Sequence, residues 1–285
     1  MTKERPRSWA GLLAEARGAL QDPPYASYEP DELLARATDR PRAWFLSRLR
    51  EEASVAEAER FRELVARRKS GEPLQYLLGA WEFLGRTFAV DRRALIPRGE
   101  TEAIVELTRD AAPDARFILD VGTGSGILAV TLALERPAAH VVALDVSPDA
   151  LTLTRQNARL HGVASRVHPV ASDWLGALRT GPVFDLVVSN PPYVPEADAP
   201  HLDKTVSAHE PSIALFGGDD GLHPLRILLA QLPRVLKCGA RFIFEFGYGQ
   251  ARLVSDAVEG SGSFTLESIR LDPAGIPRTA TAIRR

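Results

Sequence analysis

Cysteine is almost missing from this chain of 285 residues: Cys238 is the only one. That excludes an internal disulfide and any thiolate metal cluster. Histidine offers no substitute, because the six histidines are scattered and form no His-x-x-x-His pair, so no metal is expected. Lysine is scarce too, with four residues (Lys3, Lys69, Lys204, Lys237) against 31 Arg, a bias that codon usage explains as readily as function. Neither charge sign dominates. The net charge is −2 and the pI about 6.3, which argues against a dedicated nucleic-acid binder. No apolar run approaches the length of a bilayer span, and Met1-Thr2-Lys3-Glu4-Arg5-Pro6 leads into no signal-peptide core. The expectation is a soluble, cytoplasmic protein with no membrane or metal partner.

What is present divides in two. Residues 1–75 carry apolar side chains at helical spacing, with 14 Lys and Arg against 13 Asp and Glu. Trp9, Leu12, Leu13, Ala16 and Leu20 line one face of a first helix, and Leu33 and Leu34 mark a second. Pro41 suits the first turn of a third helix that buries Trp44, Phe45 and Leu49. Ser54 and Glu57 form a capping box for a fourth, with Gly71 at its end. Trp81–Leu84 and Thr87–Val90 flank Gly85-Arg86 as a hairpin. The expected layout is a helical module over 1–78, a hairpin linker over 79–97 and a larger domain over 98–285.

In that larger domain strands alternate with helices. The strand candidates are Arg116–Val121, His140–Asp145, Arg166–Ala171, Phe184–Ser189 and Arg241–Phe246, with Phe264–Leu271 and Thr279–Ile283 closing the chain as an antiparallel hairpin. Helices are expected over Ile127–Glu135, Pro148–His161 and Leu222–Leu236. Such alternation implies an α/β fold with a doubly wound, mostly parallel sheet of seven strands and ligands at the strands' carboxyl ends.

Four of those ends carry chemistry. Gly122-Thr123-Gly124-Ser125-Gly126 follows the first strand and opens a helix, where glycines allow a tight turn and helix-start amides favour an anion. The dinucleotide fingerprint would require a third glycine at 127, and Ile127 disfavours NAD. Asp145 ends the next strand, where a carboxylate can accept both hydroxyls of a ribose or, alternatively, cap a helix. Asp173 could accept an adenine amine or form a turn, and Trp174 could stack on the base or pack in the core. The fourth end is Asn190-Pro191-Pro192-Tyr193. Alone it could be a strand-ending turn. It also offers what methylation of a planar nitrogen needs. The Asn190 side-chain carbonyl and the Pro191 backbone carbonyl can accept two N–H groups out of plane, freeing the nitrogen lone pair. The prolines stiffen the loop, and Tyr193 can stack on the flat acceptor group. The combination fits S-adenosylmethionine beside a nitrogen acceptor.

These residues resemble the Rossmann-like class I methyltransferases, and nearly the whole chain resembles the release factor glutamine N5-methyltransferases. The supporting strings include Gly71-Glu72-Pro73-Leu74-Gln75-Tyr76, Leu95-Ile96-Pro97-Arg98, Thr101-Glu102, His209-Glu210-Pro211, Gly217-Gly218-Asp219-Asp220-Gly221 and Phe244-Glu245-Phe246-Gly247. Gly99 and Glu100 depart from the family's common form. The resemblance implies a substrate-docking helical domain and methylation of the Gly-Gly-Gln glutamine of peptide chain release factors. S-adenosyl-L-methionine is the implied donor and S-adenosyl-L-homocysteine the product. It assigns Gly122–Gly126, Asp145, Trp174 and Asn190 to the cofactor, and Asn190, Pro191, Pro192 and Tyr193 to the glutamine. A ribosomal-protein glutamine methyltransferase and an adenine N6 DNA methyltransferase are the alternatives.

Overall fold

A computed structural model describes residues 8–21 and 25–285; the N-terminal hexapeptide read above lies outside them. The chain forms two compact units, one running to Gly79 and taking in Lys204–His209, the other comprising Ala80–Asp203 and Glu210–Arg285.

The first unit is helical. Its α1 (Trp9–Ala19) starts where the Ser8 side chain accepts the Gly11 amide, and α2 (Glu29–Thr38) ends at Asp39 in the left-handed region. Trp9, Leu12, Leu13, Ala16, Leu20, Leu33 and Leu34 are all buried, as their spacing predicts. The third helix differs from expectation. α3 is a single turn, Arg42–Phe45, and Pro41 caps it from outside. A helix that stops at Phe45 cannot carry Leu49 onto the buried face, and Leu49 is exposed. Trp44 stays half-buried because the Arg40 and Arg48 guanidiniums lie over its ring, 4.4 and 4.7 Å from the centroid. The capping box of α4 (Val55–Lys69) forms in both directions: the Glu57 amide donates to Ser54 Oγ at 3.2 Å and the Ser54 amide to Glu57 Oε2 at 3.0 Å. Ser54→Ala should therefore cost about 1 kcal/mol, read as a lower urea midpoint; an unchanged midpoint would show that Glu57 suffices. A buried pair, Arg68 Nε donating to Glu29 Oε2 at 2.6 Å, ties α4 to α2. α5 (Leu74–Leu78) ends at the left-handed Gly79.

The second unit opens with β1 (Ala80–Phe83) and β2 (Arg86–Ala89), paired antiparallel. The turn is Leu84-Gly85, one residue earlier than expected, with φ of 48° and 70°. Two-residue hairpin loops of this hand require positive φ at both positions, and Arg86 joins the ladder instead. Then come α6 (Glu102–Ala111), β3 (Phe117–Val121), α7 (Ile127–Glu135), β4 (His140–Asp145), α8 (Pro148–Leu160), β5 (Val167–Ala171) and β6 (Phe184–Ser189). After α9 (Lys204–His209), which belongs with the first unit, follow α10 (His223–Gln231), β7 (Leu236–Glu245), α11 (Ala251–Gly260), β8 (Phe264–Leu271) and β9 (Pro277–Arg284). Helix α10 is shorter than expected. Pro233 breaks it into a short 3-10 turn, and β7 begins at Leu236, with Gly239 at φ 76° within it.

Seven strands form one sheet in the order β5-β4-β3-β6-β7-β9-β8, with only β9 antiparallel to its neighbours. Alternate side chains enter two cores. Ile118, Leu186, Val188 and Ile243 pack beneath α7 and α8, while Leu119, Val121, Val187, Phe242 and Phe244 pack with α10 and α11. Both faces are thus covered, which is why the strands read as continuous apolar runs. Strand β5 forms one edge. There Pro169 pairs with Ala143, and its carbonyl accepts Arg155 Nη2 at 3.5 Å.

Candidate functional site

The sheet register sets the site. The chain leaves β3 toward β4 and β5 on one side, then returns to β6 on the other, so the order reverses at β3 and β6. Ligand crevices form at such switch points. Val121 pairs with Ser189, so Gly122 and Asn190 emerge side by side; a Cβ built on Gly122 would lie 4.0 Å from the Asn190 carbonyl oxygen. Leu144 pairs with Val121's strand on one flank and Phe244 with Ser189 on the other, adding Asp145 and Glu245 to the row.

The glycine loop uses left-handed backbone at Gly122, Gly124 and Gly126, with φ of 71°, 56° and 81°. The amides of Gly122 and Thr123 both donate to the Leu144 carbonyl at 2.9 Å. Asp145 accepts the Gly124 amide on Oδ2 and the Ser147 amide on Oδ1, each at 2.9 Å, which leaves lone pairs on both oxygens. Burial pushes its carboxyl up, opposed by those amides.

Beneath the loop, Asp120 is fully buried. Its Oδ2 accepts the Thr123 hydroxyl at 2.6 Å and the Ala129 amide at 3.2 Å, and its Oδ1 has no partner among the described residues. Burial pushes this carboxyl from 3.8 to about 7, and the charge of Asp145 acts in the same direction. Between those two values the unfolded chain has released the proton that the folded chain retains. Folding stability from this group is therefore greatest at acid pH and falls as pH rises toward 7, by roughly 4 kcal/mol. Asp120→Asn should gain stability relative to the parent as pH rises from 4 to 7. Parallel curves of Tm against pH would refute the assignment.

Asp173 is exposed and Trp174 half-buried. Trp174 adopts φ 47°, a rare conformation for so large a residue, beside a turn in which the Gly176 amide donates to the Asp173 carbonyl at 3.0 Å.

The Asn-Pro-Pro-Tyr loop is strapped from outside. Val194 donates to the Leu215 carbonyl and Gly217 to the Val194 carbonyl, both at 2.9 Å. Gln250 Nε2 donates to the carbonyls of Tyr193 and Asp220 at 2.9 and 3.1 Å, and its Oε1 accepts the Gly247 amide at 2.7 Å. The glycines here are needed for close approach: a Cβ on Gly221 would lie 2.1 Å from the Tyr193 carbonyl oxygen. Glu210 accepts Arg98 Nη2 at 2.6 Å and the Ile96 amide at 3.0 Å, holding the cleft-lining Leu95-Ile96-Pro97-Arg98 segment.

A cleft of about 630 Å³ opens over these strand ends. Gly122, Thr123, Gly124 and Ser125 line one part of it, Asp145, Asp173 and Trp174 another, and Asn190, Pro191 and Pro192 a third. Two expected residues stand behind its wall. Gly126 packs on α8, where an added Cβ would meet Thr154 Cγ2 at 2.8 Å. Tyr193, expected to stack on the acceptor through its ring, donates its hydroxyl to buried Glu245 at 3.0 Å. Burial pushes the Tyr193 phenol up and Glu245 adds to the shift, so it remains a donor. Sequence reasoning gave no role to Thr101, Glu210 or Glu245. A carboxylate closing the apolar run Phe242-Ile243-Phe244 was the available signal for Glu245.

Comparison with known proteins agrees with this geometry. Residues 11–79 match a family described as "PrmC N-terminal domain", and residues 101–206 match "Methyltransferase small domain". The N-terminal domain of human METTL16, solved in complex with SAH, shares the fold at a TM-score of 0.52 and 14% identity, covering 75% of this chain and 82% of that one. The architecture is that of a class I methyltransferase. The release factor glutamine methyltransferase of Moorella thermoacetica is 41% identical over 272 residues, 95% of this chain and 94% of the relative. That of Koribacter versatilis is 39% identical over 259 residues, 90% and 91% of the respective chains. The chain belongs to the release factor glutamine methyltransferase family. Among the described residues no helix is long and apolar enough to cross a membrane.

Proposed function

We propose that this protein transfers a methyl group from S-adenosylmethionine to the side-chain amide nitrogen (N5) of the glutamine in the Gly-Gly-Gln motif of peptide chain release factors. The observation that carries the reading is the pairing of Val121 with Ser189, which sets a glycine loop beside Asn190 at the sheet's switch point. The residues suit the donor. A side chain at Gly122 would meet little but Asn190, and Asp145 retains lone pairs toward the cleft it lines. The cleft's volume falls within the 300–1,000 Å³ usual for small-ligand sites.

In this reading the Gly122–Ser125 backbone approaches the donor, Asp145 accepts its ribose hydroxyls, Asp173 its adenine amine, and Trp174 flanks the ring. Gly126 serves by letting the loop sit against α8. S-adenosylmethionine supplies an electrophilic methyl carbon on a sulfonium and leaves as S-adenosyl-L-homocysteine. Asn190 Oδ1 and the Pro191 carbonyl accept the two hydrogens of the glutamine amide, drawing them out of plane so that the nitrogen lone pair leaves conjugation. Pro192 stiffens the loop, and Tyr193 anchors it from behind. Holding the two reactants in line can supply about 7–11 kcal/mol of the barrier. No strong base is needed before attack, because the methylated nitrogen is acidic and loses its proton readily. The helical unit, residues 1–78 in this scheme, docks the release factor, and such a substrate fits a cytoplasmic protein without membrane, metal or nucleic-acid requirement.

The test is incubation with labelled S-adenosylmethionine and, in separate arms, a release factor, large-subunit ribosomal proteins and duplex DNA, followed by peptide mass mapping. Label is expected on the Gly-Gly-Gln glutamine. Label confined to either other arm would displace the proposal.

A further inference from the structure

A carboxylamide has two nearly identical ends, and the proposed role of Asn190 requires its oxygen, not its NH2, to face the acceptor. What sets that orientation is a chain of hydrogen bonds reaching in from distant parts of the sequence. Glu245, at the end of β7 and 2% exposed, accepts the Thr101 hydroxyl on Oε2 at 2.7 Å and the Tyr193 hydroxyl on Oε1 at 3.0 Å. Thr101, 1% exposed, commits its one hydroxyl proton to Glu245. Its oxygen can then only accept from another group, and it accepts Asn190 Nδ2 at 3.0 Å. The reversed amide would set Asn190 Oδ1 against a lone pair of Thr101, acceptor against acceptor.

We propose that Thr101 and Glu245 are positioning residues that fix which end of the Asn190 amide is presented, while the same Glu245 carboxylate anchors Tyr193 at the other end of the tetrapeptide. One buried acid, donated to by both hydroxyls, thus sets the polarity of the whole loop. The register explains why it can. Phe244 pairs with Ser189, so Glu245 and Asn190 are the next residues on adjacent parallel strands, and Thr101 at the start of α6 bridges them. A neutral glutamine at 245 has one acceptor oxygen in place of two and cannot accept both hydroxyls in the same way. This inference rests on the reading that the Asn190 carbonyl accepts an N–H of the substrate glutamine.

A double-mutant cycle on the full chain tests it, with labelled S-adenosylmethionine and a release factor as substrates. Thr101→Val keeps the shape and removes the hydroxyl. It should lower kcat tenfold or more while the Kd for S-adenosylmethionine stays within threefold. In an Asn190→Ala background the same change should alter kcat less than twofold, because the group through which Thr101 acts is gone. Thr101→Ser, which retains the hydroxyl, should recover most of the turnover lost in Thr101→Val. Glu245→Gln run through the same cycle should also lose less kcat in the Asn190→Ala background than in the parent, the remaining loss coming from its Tyr193 arm, which keeps the test intact if Thr101→Val fails to fold. Equal losses in both backgrounds, or a serine variant no better than valine, would overturn the positioning role. If Asn190→Ala alone leaves kcat unchanged, the underlying clamp fails and the inference with it, a result distinct from additive losses.

Discussion

Asn190→Ala should lower kcat by roughly 10²–10³, the loss expected when one preorganised hydrogen-bonding group is removed from a reacting centre. Binding of S-adenosylmethionine should change by less than threefold, since Asp145, Trp174 and the glycine loop are untouched. Asn190→Asp keeps the size of the side chain and should fare no better. A carboxylate has no N–H for Thr101 Oγ1, which now lies 3.0 Å from Asn190 Nδ2, and it adds a negative charge close to buried Glu245. Steady-state turnover on a release factor, paired with calorimetric cofactor binding, separates the two quantities. Near-normal kcat in both variants would discard the clamp.

Gly221→Ala should be severely damaging for a single added methyl group. The glycine sits at φ 75°, and an added Cβ would fall 2.1 Å from the Tyr193 carbonyl oxygen and 2.4 Å from Gln250 Nε2. Left-handed backbone costs an alanine about 1–2 kcal/mol, and overpacking of a tight site about 1–3 kcal/mol more. The sum corresponds to a fall in Tm of about 4–20 °C for a domain of this size. Backbone cannot yield as a flexible side chain can, so the Asn-Pro-Pro-Tyr loop must shift, and turnover should fall with stability. Gly262→Ala is the control: it has the same sign of φ, at 67°, but open space around it, so it should show the backbone cost without the loss of turnover. Equal behaviour of the two variants would remove the close-approach argument.

The parts of the fold that were legible in sequence are those with abrupt boundaries. Strands β4, β6 and β8 and helix α7 lie where expected: β4, β6 and α7 are mostly apolar runs, and β8 alternates apolar with polar residues as a partly exposed strand does. The errors arose where a local choice was settled by distant contacts. The hairpin turn fell on Leu84 rather than Arg86, with the Leu84 amide donating to Glu102 Oε1 at 2.8 Å. Helix α3 was cut to one turn, with Trp44 and Phe45 packed edge-on against Trp9 from the first helix. The candidate site divides similarly. Its glycine loop and strand-end acids follow from the βα pattern, and a local motif is enough to find them. The Tyr193–Glu245–Thr101–Asn190 chain is not local: Thr101 and Glu245 lie 144 positions apart, and Asn190 lies 89 from Thr101. Spacing along one chain carries no signal for such a meeting, nor for the bond of the Tyr193 hydroxyl to the buried acid.

Pro169 has a consequence for the molecule's life among many copies of itself. The outermost strand of an open sheet is a template on which another chain can add. At this position the strand has no N–H to offer, and its outward carbonyl is engaged by Arg155. A visiting strand would meet a gap in the donor row midway along a five-residue border. The sheet therefore ends at β5 by chemistry as well as by chain length, and crowding should not drive these molecules to join through that edge.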